Sequence, residues 1–137
     1  MKGRILGIDY GRSRIGMATT DPLQIIVSPM QTVDKKDFRE FLNNYIISEH
    51  VVKLVFGRPT HADGKLTSLN DDINREVRYF SEKFPEILID FQDENFTSQE
   101  ALQIAIKGGI KKKKRRDKKT IDKISAVLIL QRYLGHI

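Results

Sequence analysis

With 137 residues the chain has room for one sizeable core and is short for two ordinary domains, so a single domain over residues 1–137 is expected. The absence of cysteine excludes disulfides, thiolate nucleophiles and the usual structural zinc site, and the longest unbroken apolar run, Ala126 to Leu130, is far too short for a transmembrane helix. Net charge is +6, yet the nine residues from Lys111 to Lys119 alone carry +7, so the basicity is one segment on a nearly neutral body and suggests contact with a polyanion.

In chain order, Arg4 to Ile8 and Ile15 to Thr20 flank the turn Gly11-Arg12-Ser13-Arg14, and Gln24 to Val27 precedes Ser28-Pro29; together they read as a three-stranded antiparallel meander. Phe38, Phe41, Leu42, Tyr45 and Ile46 recur at the three-and-four rhythm of one helix face. Lys53 to Phe56 is a short buried strand stopped by Gly57-Arg58-Pro59, with turn chemistry at Ala62-Asp63-Gly64. A second helix carries Leu69, Ile73, Val77, Phe80 and Phe84, and Ile87 to Phe91 is another strand. Thr97-Ser98-Gln99-Glu100 has the pattern of a capping box opening a helix through Ile106, which Gly108-Gly109 ends. The basic run leads to a last helix from about Ile121 to Tyr133, with Thr120 placed to cap it.

The order is thus βββαβαβα, give or take one helix. Strands separated by helices pair in parallel, so the expected fold is α/β: a mixed five-stranded sheet, an antiparallel meander followed by parallel strands, with helices packed on it. The chain starts directly in strand-like sequence with no signal-peptide apolar stretch, so a soluble cytoplasmic protein without membrane contact is expected.

Three places put acids where chemistry could happen. Asp9 ends an apolar strand between Gly7 and Gly11, which allow another backbone or a phosphate to approach closely. Asp93 and Glu94 follow the strand from Ile87, at the carboxyl end where open α/β sheets bind ligands. Asp122 sits in the first turn of the last helix, in phase with Ala126 and Ile129, so its carboxylate faces protein. Each alone serves equally well as a turn former or a favourable charge at a helix start. Jointly, beside a basic run and without cysteine, they suggest a carboxylate cluster holding Mg²⁺ or Mn²⁺ to cut a phosphodiester, with no nucleophilic side chain required. Of the histidines, His50 ends a helix and His136 is terminal; only His61, after Pro59, falls near these acids.

Four motifs then resemble the YqgF/RuvX family, whose members are described as candidate Holliday junction resolvases and as nucleases that mature the 5′ end of 16S ribosomal RNA. They are Ile5-Leu6-Gly7-Ile8-Asp9-Tyr10-Gly11-Arg12-Ser13-Arg14-Ile15-Gly16; Phe56-Gly57-Arg58-Pro59 followed by Asp63-Gly64; Asp93-Glu94-Asn95-Phe96-Thr97-Ser98; and Lys113-Lys114-Arg115-Arg116 followed by Asp122-Lys123-Ile124-Ser125-Ala126. The resemblance spans nearly the whole chain and implies a ribonuclease H-like fold with Asp9, Glu94 and Asp122 as catalytic, metal-binding triad, choosing Glu94 over Asp93.

Expected contacts to nucleic acid are Gly11, Arg12, Arg14, Arg58, Thr97, Lys111, Lys112, Lys113, Lys114, Arg115 and Arg116. Arg58 stands where the family usually has Leu and adds a phosphate-binding charge; Asn95 stands where it usually has Arg and removes one. The implied partner is structured RNA, foremost the ribosomal subunit precursor, or branched DNA, met by a monomer or weak homodimer. A resolvase with the same chemistry, and a non-catalytic ribosome-assembly or transcription factor of the same fold, are the alternatives; the retained acids argue against the second. An actin-like ATPase, which also opens on Asp-x-Gly, would need two such domains.

Overall fold

The computed structural model describes residues 3–59, 64–94, 103 and 118–137. Strands β1 (Arg4–Tyr10) and β2 (Arg14–Thr20) form the expected hairpin, with Asp9 opposite Gly16 and Gly11 N–H donating to the Arg14 carbonyl at 3.0 Å to close the turn. After β3 (Val27–Pro29), β4 (Val33–Asp34) and a short 3₁₀ turn come α1 (Phe38–Ser48), β5 (Val51–Pro59), α2 (Gly64–Lys83), β6 (Leu88–Glu94) and α3 (Lys118–Tyr133). The sheet runs β3-β2-β1-β5-β6, with β5 parallel to both β1 and β6.

Four expectations are corrected. The third strand begins at Val27 because the Asp21 carboxylate accepts the amide N–H groups of Leu23, Ile25 and Ile26 at 3.2, 2.8 and 2.6 Å, while Gln24 turns left-handed at φ 62°. Those amides cannot also serve a ladder. The two-residue β4 pairs with the start of β2, so the sheet has six strands instead of five. Strand β5 continues through Gly57-Arg58-Pro59, where a stop was expected. The ladder to β1 has its last pair at Ile8 and Phe56, so Pro59, at the strand's end, removes no donor from it. Finally α3 starts at Lys118, which puts Thr120 inside the helix instead of at its cap; two lysines, good helix formers, extend it. The expected helix after Thr97 lies outside the described residues apart from Gln103.

Strand periodicity divides the interior in two. Leu6, Ile8 and Tyr10 of β1 meet Phe38, Leu42 and Ile46 of α1 and Ile73 and Phe80 of α2 on one face. On the other, Ile5, Ala18 and Val55 meet Ala126, Ile129 and Leu130 of α3. The last helix lies close enough that a Cβ on Gly7 would stand 2.5 Å from Leu130 Cγ. Asp9, two residues further along β1, therefore shares the α3 face. No helix among the described residues is long and apolar enough to cross a membrane.

Candidate active site

Asp9 is flanked across the sheet by two glycines. Gly16 is its partner in β2, and Gly57 follows Phe56 in β5 as Asp9 follows Ile8 in the paired β1. Neither glycine is an accident of turn geometry, since both lie in strands. A Cβ on Gly16 would sit on the Asp122 carbonyl oxygen and 3.0 Å from the Asp122 Cβ. A Cβ on Gly57 would lie 3.0 Å from both Cγ and Cδ of Glu94 and 2.5 Å from Ile129 Cδ1. The missing side chains thus make the floor over which the second turn of α3, where Asp122 sits instead of in the expected first turn, and the Glu94 side chain close on Asp9.

Strand parity decides which neighbouring acid takes part. In β6, Ile89 and Phe91 pack on the α1–α2 core, whereas Asp90 accepts a hydrogen bond from the Tyr133 hydroxyl of α3 at 2.7 Å. Glu94 is in phase with Asp90 and faces α3; Asp93 is in phase with Phe91 and is exposed. The pairing Pro59 to Glu94 sets the latter at the carboxyl end of both parallel strands.

The electrostatics follow from this crowding. Part of Asp9 reaches solvent, but the packing round its carboxyl makes loss of hydration the largest influence, and the charges of Glu94 and Asp122 add to it; its pKa is held well above the ordinary value of 3.8. A hydrogen bond between the Asp9 and Glu94 carboxyls adds to the rise at Asp9; the pKa of Glu94 is also raised, by burial, with that hydrogen bond acting the other way. Asp122 accepts from Arg14 Nε at 3.3 Å, an ion pair in which both side chains remain roughly a quarter exposed (29% and 26%).

Glu76, buried on the opposite face, provides the contrast. It accepts from Arg39 Nε with both oxygens, at 3.2 and 3.0 Å. That acid has a fitted cation and a structural task. Its charge, after burial, also helps to push the Tyr10 hydroxyl up to about 12.

The structure therefore brings Asp9, Glu94 and Asp122 to one end of one sheet face, with Arg14 beside them. Arg12 is exposed in the adjoining turn with Gly11. Arg58 is not brought to the acids: its guanidinium lies 3.8 Å from the centre of the Phe91 ring and donates to Asn74 Oδ1 at 3.3 Å, on the α1–α2 face. Thr97, His61, Asn95 and the run Lys111 to Arg116 lie outside the described residues. His50 is at the far end of the sheet, where its carbonyl accepts from the Arg4 amide. The roles of Gly16 and Gly57 were not read from the sequence; a glycine inside a strand was the available sign.

Among the described residues, no three acid or imidazole side chains form a finished metal cage, and the Asp122 carboxylate is turned to Arg14. The donor set nevertheless fits a hard dication. Magnesium takes oxygen ligands, needs only one or two carboxylates and keeps water for its remaining positions. Crowded carboxyls with raised pKa values are groups whose mutual repulsion such an ion would relieve.

The family described as RuvX, Holliday junction resolvase, matches residues 3–136. A candidate pre-16S rRNA nuclease of Amoebophilus asiaticus is 43% identical over 133 residues, covering 97% of this chain and 94% of that one. A protein of Porphyromonas gingivalis with the same description is 42% identical over 134 residues, covering 98% and 97%. Among solved structures, T. thermophilus RuvC in complex with a Holliday junction substrate superposes with TM-score 0.61 at 12% identity, covering 97% of this chain and 96% of that one. The fowlpox virus resolvase bound to Holliday junction DNA gives 0.62 at 12% identity and 97% of each chain. At such identity the likeness is one of fold, and that fold is the ribonuclease H-like arrangement expected from the sequence.

Proposed function

The chain belongs to the RuvX family of Holliday junction resolvases, and from that membership we propose that it is a divalent-metal-dependent endonuclease acting on structured nucleic acid, foremost the 5′ end of the 16S ribosomal RNA precursor. The observation that carries this reading is the convergence of Asp9, Glu94 and Asp122 beside two strand glycines on one sheet face. The descriptions of the relatives from A. asiaticus and P. gingivalis favour RNA as substrate. A cytoplasmic location goes with that substrate.

Asp9, Glu94 and Asp122 would hold Mg²⁺ or Mn²⁺, which when bound supplies Lewis-acid polarisation of the phosphate and activation of the attacking water. The chain's own residues do the rest. Burial and the neighbouring carboxylates hold the pKa of Asp9 up, and a bound dication would favour its ionised form. The β1 backbone and the second turn of α3 fix where Asp9 and Asp122 stand, so positioning is provided by the fold and not at the moment of reaction. No side-chain nucleophile is required. Arg12 in the exposed hairpin turn and the basic run at 111–119 supply positive charge for the backbone of the substrate.

The test is a cleavage panel with Mg²⁺ comparing 16S precursor RNA, a single-stranded RNA and a four-way DNA junction, with Asp9→Asn as control. Cleavage of the precursor at one site, lost with EDTA and in the variant, is expected. Binding that survives EDTA with no cut in any substrate would leave a non-catalytic binding protein. The family description supports a second reading, the junction resolvase. Paired symmetric cuts need two sites, so sedimentation of a strictly monomeric complex on the junction would count against it.

A further inference from the structure

Arg14 was expected to contact nucleic acid, yet its guanidinium is engaged within the protein. It projects from the first residue of β2, two residues before Gly16, the partner of Asp9, and its Nε lies 3.3 Å from Asp122 Oδ2. This is an ion pair between residues 108 positions apart in sequence, made at the mouth of the carboxylate cluster. Both partners keep about a quarter of their side-chain surface, so water and ligands can reach the pair. Asp122 itself cannot retreat far, because its backbone rests on Gly16.

We propose that Arg14 is a positioning residue that couples metal binding to substrate binding: without nucleic acid it holds the Asp122 carboxylate, and a substrate phosphate, by taking over the guanidinium, releases Asp122 to the metal. This rests on the reading of the three acids as metal ligands. The physical argument is competition for one carboxylate. A guanidinium and a divalent ion cannot both occupy the same oxygens, and the fixed positive charge of Arg14 repels an incoming cation. A phosphate offers the guanidinium an alternative partner of matched geometry. Once Arg14 swings to it, the guanidinium no longer competes with the metal for the Asp122 carboxylate, which stands next to two other acids. Metal and nucleic acid therefore help each other bind, and by linkage each raises the affinity for the other by the same factor. The arrangement holds the site incomplete until a substrate is present.

The test measures Mn²⁺ binding to the intact protein by calorimetry, without nucleic acid, in the parent, Arg14→Ala, Arg14→Lys and Asp122→Asn proteins. Arg14→Ala is expected to bind Mn²⁺ roughly fivefold or more tightly than the parent, with Arg14→Lys between them, and Asp122→Asn more weakly. In parallel, stopped-flow anisotropy of a labelled RNA hairpin, read before cleavage, gives the ratio of its Kd in EDTA to that in Mn²⁺. That ratio should be large in the parent and several-fold smaller in Arg14→Ala. Equal or weaker Mn²⁺ binding by Arg14→Ala, or an unchanged ratio, overturns the coupling. If neither the parent nor Arg14→Ala binds Mn²⁺, with or without the RNA hairpin, the reading of the acids as metal ligands fails first. Binding in the parent with no change on removing Arg14 sinks only the present inference.

Discussion

At Asp9 the chain places a carboxyl where burial and the charges of Glu94 and Asp122 all oppose ionisation. The folded pKa lies above that of the unfolded chain, so the metal-free folded state holds a proton that the unfolded state releases. Stability from this source is fully present below the ordinary value of 3.8 and is lost as pH rises through the folded value. Asp9→Asn removes that loss. It is expected to abolish cleavage while raising the melting temperature of the metal-free protein at neutral pH, by roughly 4 °C for each kcal/mol recovered, and to flatten the pH dependence of melting above 3.8. A lower melting temperature at neutral pH would show that the carboxylate is a net stabiliser. Arg58 illustrates the converse. Sequence position made it a phosphate contact, but strand parity turns it onto Phe91 and Asn74, on the face opposite Glu94. Arg58→Leu should therefore leave cleavage and RNA affinity within about twofold of the parent, whereas a lost phosphate contact would weaken binding and reduce the salt slope by about one.

At the scale of elements, the decisive contact is α3 on the sheet. Helix α3 is held by Ala126, Ile129 and Leu130 over Ile5, Ala18 and Val55, and it approaches Gly7, Gly16 and Gly57 without intervening side chains. Gly16→Ala would push the second turn of α3, which carries Asp122, away from Asp9. A loss of about 1–3 kcal/mol in stability is expected from overpacking, with turnover down about 100-fold because the misplaced group is Asp122. Gly7→Ala meets Leu130 instead and should lose similar stability while keeping most of its turnover; denaturant melts beside initial rates separate the two. Leu130→Ala, a fully buried truncation, is expected to cost about 2–5 kcal/mol. The loop after β2 shows how a single side chain redirects an element: the Asp21 carboxylate collects three amides, its pKa is lowered by those hydrogen bonds, and Ile25 and Ile26 are left exposed instead of entering a strand.

Across the whole molecule, the sheet separates a structural face from a chemical one. Helices α1 and α2 cover the first with a large apolar core and the Arg39–Glu76 and Lys35–Asp72 pairs, while α3 covers the second and ends at the acids. The body is nearly neutral beside the +7 run from Lys111 to Lys119, so affinity for nucleic acid should depend steeply on salt. Replacing Lys111 to Lys114 by Ala is expected to reduce the slope of log affinity against log salt by roughly three to four, with the metal requirement unchanged. A slope equal to the parent's would assign that run to another task. Most of this architecture was legible in the residues: alternation marks β1 and β2, the three-and-four rhythm marks α1, and acids at strand and helix ends mark the positions that the sheet brings together, because periodicity and composition are local properties written along the chain. Tertiary structure decided what local order cannot carry. It decided that Glu94 and not Asp93 faces Asp9, since that depends on the register of β6 against β5; that Arg58 turns away; and that Arg14 meets Asp122 across 108 positions. Each of these is a relation between distant segments, which the register of β6 on β5 and the packing of α3 onto the glycines of the sheet bring together.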